Sequence, residues 1–147
     1  MTAEVVSTTT TTRSGVAKLM GTLVIIAGVV FAVAGAGTWA AVQTNLAQEN
    51  ITVSGDATYF ADEPVDGPLT AFVQAEVINT HYLESTGGKT YAELDRDDPL
   101  RDVAMNASFL RASLFTSVVA FGVAAMAMGL GATLALAGVG IRTNARD

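Results

Sequence analysis

The sequence predicts an α-helical membrane protein, a transmembrane helical hairpin carrying a mainly helical extracytoplasmic segment. Three observations carry that expectation. Two long uncharged apolar blocks lie near the ends of the 147-residue chain. Charged residues make up only 15% of it, against about 25% in soluble domains, and its mean hydropathy is +0.42. Nearly all the acidic residues lie between the two blocks.

Residues 1–18 read as a cytoplasmic tail. The threonine run Thr8–Thr12 has no apolar partners to fold against, so disorder is expected. Arg13 and Lys18 are basic and Glu4 is the one acid.

Residues 19–42 form the first block. No ionisable side chain occurs between Lys18 and Glu49. As a helix, Leu19–Val42 would span about 36 Å, enough for a hydrocarbon core of about 30 Å. A soluble core helix rarely stays uncharged over such a length. A cleaved signal peptide is the other alternative, with Ala32-Val33-Ala34 as its cleavage site. The apolar run continues well past a usual signal core of about 7–15 residues, and Trp39 stands where an interfacial anchor would. Retention as a membrane helix is therefore expected.

Residues 43–111 hold four basic side chains against twelve acidic ones, a net charge of −8. The basic residues outside the blocks are Arg13 and Lys18 on one side and Arg142 and Arg146 on the other. The positive-inside bias then puts both termini in the cytoplasm and residues 43–111 outside. Ile51-Thr52-Val53 and Thr58-Tyr59-Phe60 flank the turn signal Ser54-Gly55-Asp56, which reads as a short β-hairpin or an extended lead-in. Pro68 fits the first turn of a helix capped by Asp66 or Gly67. Its apolar stripe is Leu69, Phe72, Val73 and Val77, and it ends near Thr86-Gly87-Gly88. Thr90-Tyr91-Ala92-Glu93 is a capping box.

Residues 112–141 are the second block, followed by the tail 142–147. The stripe Leu100, Val103, Ala104, Ala107, Leu110 and Leu114 meets no breaker before it. One continuous helix from about Pro99 to Ile141 is expected, its first third outside the bilayer. Within the blocks, Ala32, Ala36 and Ala40, and likewise Ala127, Gly131 and Ala135, step by four. Such rows let helix backbones approach closely in lipid, and these six are the helix-packing candidates.

The chemistry-bearing residues are few. With no cysteine, disulfides, iron–sulfur clusters and thiolate zinc sites are excluded within the chain. His81 is the one histidine; with Glu84 three residues on, it offers too few ligands for a catalytic metal. Gly87-Gly88-Lys89-Thr90 ends like a phosphate-binding loop, but position 83 is leucine where that loop needs glycine. Asp95, Asp97, Asp98 and Asp102 cluster without an EF-hand frame. Arg96 and Arg101 interleave with them, so local ion pairs are expected, and the acids are the candidates for facing a basic partner. Neither block holds an ionisable residue, so the spans carry no charged transport site. No catalytic, cofactor-binding or metal residue is assigned, and no cofactor or nucleic-acid partner is expected.

Several stretches together resemble a known group: Ile51–Asp56, Val65–Pro68, Gly87–Arg96 and above all Asn106-Ala107-Ser108-Phe109-Leu110-Arg111-Ala112-Ser113-Leu114-Phe115. They resemble small two-helix membrane proteins of high-GC Gram-positive bacteria often labelled "aromatic ring-opening dioxygenase". The resemblance covers about Leu19 to Leu136 and implies a bacterial plasma-membrane protein. The label implies ring cleavage at non-haem iron, which calls for two histidines and a carboxylate. With a single histidine in the chain, no catalytic residue carries over. Two classes of function follow. One is a non-enzymatic accessory protein that contacts membrane lipid and docks on a larger membrane complex, of which a respiratory-chain assembly is an example. The other is a membrane-tethered ligand-binding or enzymatic module acting outside.

Overall fold

The structure, a computed structural model, describes residues 3–145, with side chains described from Ser14 onward. Three helices follow in order: α1 (Ala3–Gln48), α2 (Pro68–Ser85) and α3 (Arg101–Asn144). Among the described residues there is no strand, only one isolated antiparallel bridge. Two of the helices, α1 from Ser14 to Gln48 and α3, are long and apolar enough to cross a membrane. The side chains of Thr8–Thr12 lie outside the described residues. From Ser14 to Lys18 the chain is already helical, so no boundary falls at Lys18. α3 runs unbroken from Arg101 through the second apolar block, as its stripe predicts.

The chain divides into two compact units. In the first, residues 1–37 and 124–147, α1 and α3 meet antiparallel along glycine. A Cβ added to Gly28 would stand 2.6 Å from the Gly131 carbonyl oxygen and the Ala135 nitrogen. One added to Gly21 would meet the Gly138 carbonyl at 2.8 Å, and one on Gly35 the Ala124 carbonyl at 2.7 Å. The contact positions therefore step by seven on both helices: Gly21, Gly28 and Gly35 against Gly138, Gly131 and Ala124. This is the heptad period of helices that wrap closely, with small residues replacing the usual large ones. Near the chain ends, the Ser14 hydroxyl donates to the Ala145 carbonyl at 2.6 Å.

The rows stepping by four are split by this arrangement. Gly131 is buried against α1, with Ala32, Ala127 and Ala135 half-buried. Ala36 and Ala40 face away and are exposed. A step of four carries positions progressively off one face of a helix turning every 3.6 residues, whereas alternate steps of four and three stay on it.

The second unit, residues 38–123, has a core of Leu46, Val53, Val65, Ala71, Ala75, Leu114 and Phe121. Trp39 packs edge-on to Phe121, ring centroids 4.8 Å apart. The extended stretch at Ile51–Val53 does not pair with Thr58–Phe60. Val53 N–H instead donates to Glu63 at 2.9 Å and Val65 N–H to Ile51 at 2.8 Å, with Thr52 and Pro64 bridged. The reason is burial: this pairing sends Val53 and Val65 inward together, each 1% exposed, and leaves Tyr59 at the surface. The Gln74 side-chain oxygen accepts the Ser54 N–H at 3.0 Å and ties the following loop to α2.

α2 begins where Pro68 predicts, with Gly67 as its N-cap and the Thr70 hydroxyl accepting the Gly67 N–H at 3.2 Å. Its buried face is Thr70, Ala71, Gln74, Ala75 and Tyr82 rather than the expected stripe. Leu69 and Phe72 point outward. Small Ala71 and Ala75 let α2 lie close to its neighbours, and larger side chains there would hold it off. Gly87 and Gly88, at φ of 64° and 84°, stop the helix as predicted.

These contacts separate two glycines of α3 only two residues apart. Gly131→Leu should drive a side chain into the α1 backbone and destabilise the helix pair by about 1–3 kcal/mol. Gly129 has open space around its Cβ position, and Gly129→Leu should change stability by less than about 0.5 kcal/mol. Detergent-denaturation midpoints of the two variants, followed by circular dichroism, measure the difference.

Candidate functional site

The chemistry-bearing side chains His81, Glu84, Lys89, Asp95, Asp97, Asp98 and Asp102 lie in the second unit, whereas the helix-packing candidates other than Ala40 lie in the first. At the end of α2, the His81 Nε2 stands 2.6 Å from the Asp56 Oδ2. Both side chains are about half exposed, 47% and 61%. The bond to His81, aided by the turn that holds Asp56, lowers the Asp56 pKa below its ordinary 3.8. Neither Glu84 nor Glu76 takes this histidine. Glu76 instead lies 3.8 Å from Arg111, whose Nε also donates to the Ala75 carbonyl at 3.3 Å. A cleft of about 360 Å³ opens beside the pair, lined by Asp56, Tyr59, Phe72, Glu76, Thr80 and His81. Phe72, on the cleft's lining, stacks edge-on with Phe115, ring centroids 5.8 Å apart.

The acidic cluster is arranged as a helix start. Asp98 accepts the Leu100 N–H on its carboxylate at 2.8 Å, and its carbonyl accepts the Arg101 N–H. Asp102 stands in the first turn of α3, favourable to the helix dipole. Asp95, Asp97 and Asp102 are exposed and Asp98 half-buried. The ion pairs expected with Arg96 and Arg101 are not made. Arg101 turns inward, 4.1 Å over the Tyr91 ring, and donates to the Leu94 carbonyl at 2.7 Å. A planar guanidinium satisfies carbonyls and a ring face at once, which exposed carboxylates cannot match. The acids are therefore left free on the surface. In the capping box the Glu93 carboxylate accepts the Thr90 N–H at 2.8 Å. That bond, helped by the Thr90 hydroxyl, lowers the Glu93 pKa.

No cluster of three or more His, Cys, Asp or Glu groups fit to hold a metal occurs among the described residues. The donor set for a non-haem iron is two histidines and a carboxylate; His81 with Asp56 supplies half of the nitrogen ligands, and the chain has no second histidine. The residues do not fit such a centre. A second concavity, a groove of about 710 Å³, is lined by the C-terminal part of α1, the N-terminal half of α3 and α2. Comparison with protein-family models, curated proteins and solved structures finds no match for this chain.

The His81–Asp56 contact has a defined pH dependence. Because the folded Asp56 pKa is depressed, its contribution is present above the ordinary value of 3.8 and is lost as pH falls through the lower folded value. In side-chain carboxyl NMR, Asp56 should titrate below 3.8 in the native chain. His81→Ala should bring its midpoint back up towards that value.

Proposed function

We propose that the chain is a non-enzymatic integral membrane accessory protein of a bacterial plasma membrane. In this reading α1 and α3 form a two-span hairpin with both termini cytoplasmic, residues 43–111 lie outside, and the protein docks on a larger membrane complex. The observation that carries it is how little of the apolar helix surface is covered. Only 17% of the most apolar stretch of each long helix is buried. Leu23, Ile26, Val30, Val33, Met126 and Leu136 all point outward and are about half exposed or more. Exposing such a side chain to water forgoes about 1.5–3 kcal/mol of burial, whereas hydrocarbon removes that cost. A lone helix pair with its backbone groups bonded internally also meets the bilayer's main demand.

Charge supports the orientation, since the segment between the helices carries the net −8 and the flanks the basic residues. The face offered to a partner helix is revised by the glycine contacts. Gly131 belongs to the chain's own pairing, so a partner would meet Ala36 and Ala40 with the open Gly37 beside them. The unpaired Asp95, Asp97 and Asp102 would orient approach to a basic surface, an attraction screened over about 8–10 Å. A respiratory-chain assembly is one host of this kind. A second reading, a membrane-tethered extracytoplasmic ligand-binding or enzymatic module, has the His81–Asp56 cleft in its favour.

Single cysteines test the topology directly, because the chain has none to remove. An impermeant maleimide on intact cells should label position 97 and spare position 144; the reverse pattern overturns the orientation. For docking, the tagged protein is isolated from mild detergent on native gels and its co-migrating chains are weighed. Ala36→Leu with Ala40→Leu should lower their recovery by about tenfold, equivalent to about 1.4 kcal/mol. Asp95→Asn with Asp97→Asn should weaken it much less, and more visibly at low salt. Loss with the asparagine pair and none with the leucine pair would move the docking surface to the outer segment.

A further inference from the structure

The groove in the second unit has features that specify an occupant. Its floor is apolar: Val42 and Leu46 from α1, Leu110 and Leu114 from α3, and Ile78 from α2. Phe109 stands at its rim, 77% exposed. Its volume of about 710 Å³ lies within the range of about 300–1,000 Å³ that small-molecule sites occupy. Gln74 also lines it and is only 8% exposed. The Gln74 oxygen is committed to the Ser54 N–H, so the amide nitrogen, with two N–H donors, is the end left for the groove. That nitrogen makes no hydrogen bond among the described residues. Among the described residues no buried side-chain nitrogen or oxygen lacks a partner, so this donor keeps its access to the groove; an occupant that covered it without bringing an acceptor would leave it unpaired, which is costly.

The chemistry of that acceptor is narrowed by charge. No lysine or arginine lines the groove, and Glu49 lies on its wall, so an anionic group is repelled and a neutral carbonyl is suited. Val42 closes the first apolar block and Ser113 to Ala120 open the second, so in the membrane reading the groove begins at the outer bilayer surface. A partner helix has its backbone carbonyls already bonded within itself; an acyl ester does not.

We propose that the groove seats one acyl chain of an outer-leaflet glycerolipid, with the ester carbonyl accepting a hydrogen bond from the Gln74 side-chain amide. The apolar floor holds the chain and Gln74 sets its depth. The inference rests on the membrane reading and adds a specific lipid site to it.

The test uses the full chain in nanodiscs of phosphatidylcholine, either ester-linked or its ether-linked analogue with the same chains. After release into mild detergent, native mass spectrometry counts the lipids retained. The native chain should keep one ester lipid and about tenfold less of the ether lipid, the loss of one hydrogen bond. Ser113→Trp, which fills the groove, should lower retention by a similar factor. Gln74→Glu should do the same, since it keeps the acceptor for Ser54 and removes both donors. Circular dichroism confirms that each variant is folded. Equal retention of the two lipids, or full retention by Ser113→Trp, overturns the proposal. So does a lipid-free native chain, and a lipid-free dimer would assign the groove to a second copy. Flotation on vesicles keeps the two readings apart: a chain that does not float removes the membrane reading itself, whereas one that floats without retaining lipid removes only this site.

Discussion

Where Gly28 faces Gly131 and Ala135, no side-chain carbon fits between α1 and α3, and the separation of the two helices is set by their backbones. Lipid chains are as apolar as leucine, so two helices gain little by burying leucine against each other in hydrocarbon; they gain by approaching until backbone atoms touch. Glycine at every seventh position buys that approach and leaves the large side chains for the outside. The narrowness of the contact and the wide apolar surface around it are thus one choice. Along α1 the same face continues past Gly35 as Trp39, Val42 and Leu46, and there the residues are large because they meet a side-chain core rather than a backbone.

The second unit is organised by a different economy. Its buried set is small, with Phe121, Val53 and Val65 its largest fully enclosed side chains. The chain has no cysteine to cross-link it, and no cluster of three or more metal-ligating groups occurs among the described residues. Its loops are tied down by side chains bonded to backbone: Gln74 to Ser54, Arg111 to Ala75, and Arg101 to Leu94. Each tie crosses from a helix to irregular chain or to another helix, where helical hydrogen bonds cannot reach. Polar side chains in buried and half-buried positions therefore do the work that extra apolar volume does in larger domains.

Much of the architecture was legible in the sequence because it depends on period and charge. Thirty uncharged residues in a row and a proline after an aspartate are local signals, and α1, α2 and α3 follow them. The glycine register was also present, in Gly21, Gly28 and Gly35, but hidden among alanines that fit several spacings equally well. The His81–Asp56 pair was not legible. Its members are separated by 25 positions and a turn, and only the packed loop brings them together. The outward turn of Leu69 and Phe72 has the same origin, since which face of α2 is buried depends on how close its neighbours lie. Arg101 was misread because sequence adjacency favours the acids, while the ring and carbonyls that hold it come from folding.

The bridge between Thr52 and Pro64 has a bearing on how this protein avoids sticking to itself. An extended stretch with free N–H and C=O groups is a template for another chain to add a strand. Proline carries no N–H, so the row of donors is interrupted at Pro64, and pairing shrinks to a single bridge whose chain neighbours Val53 and Val65 are held in the core. Self-association through sheet edges is thereby blunted, and recognition is left to helices and clefts.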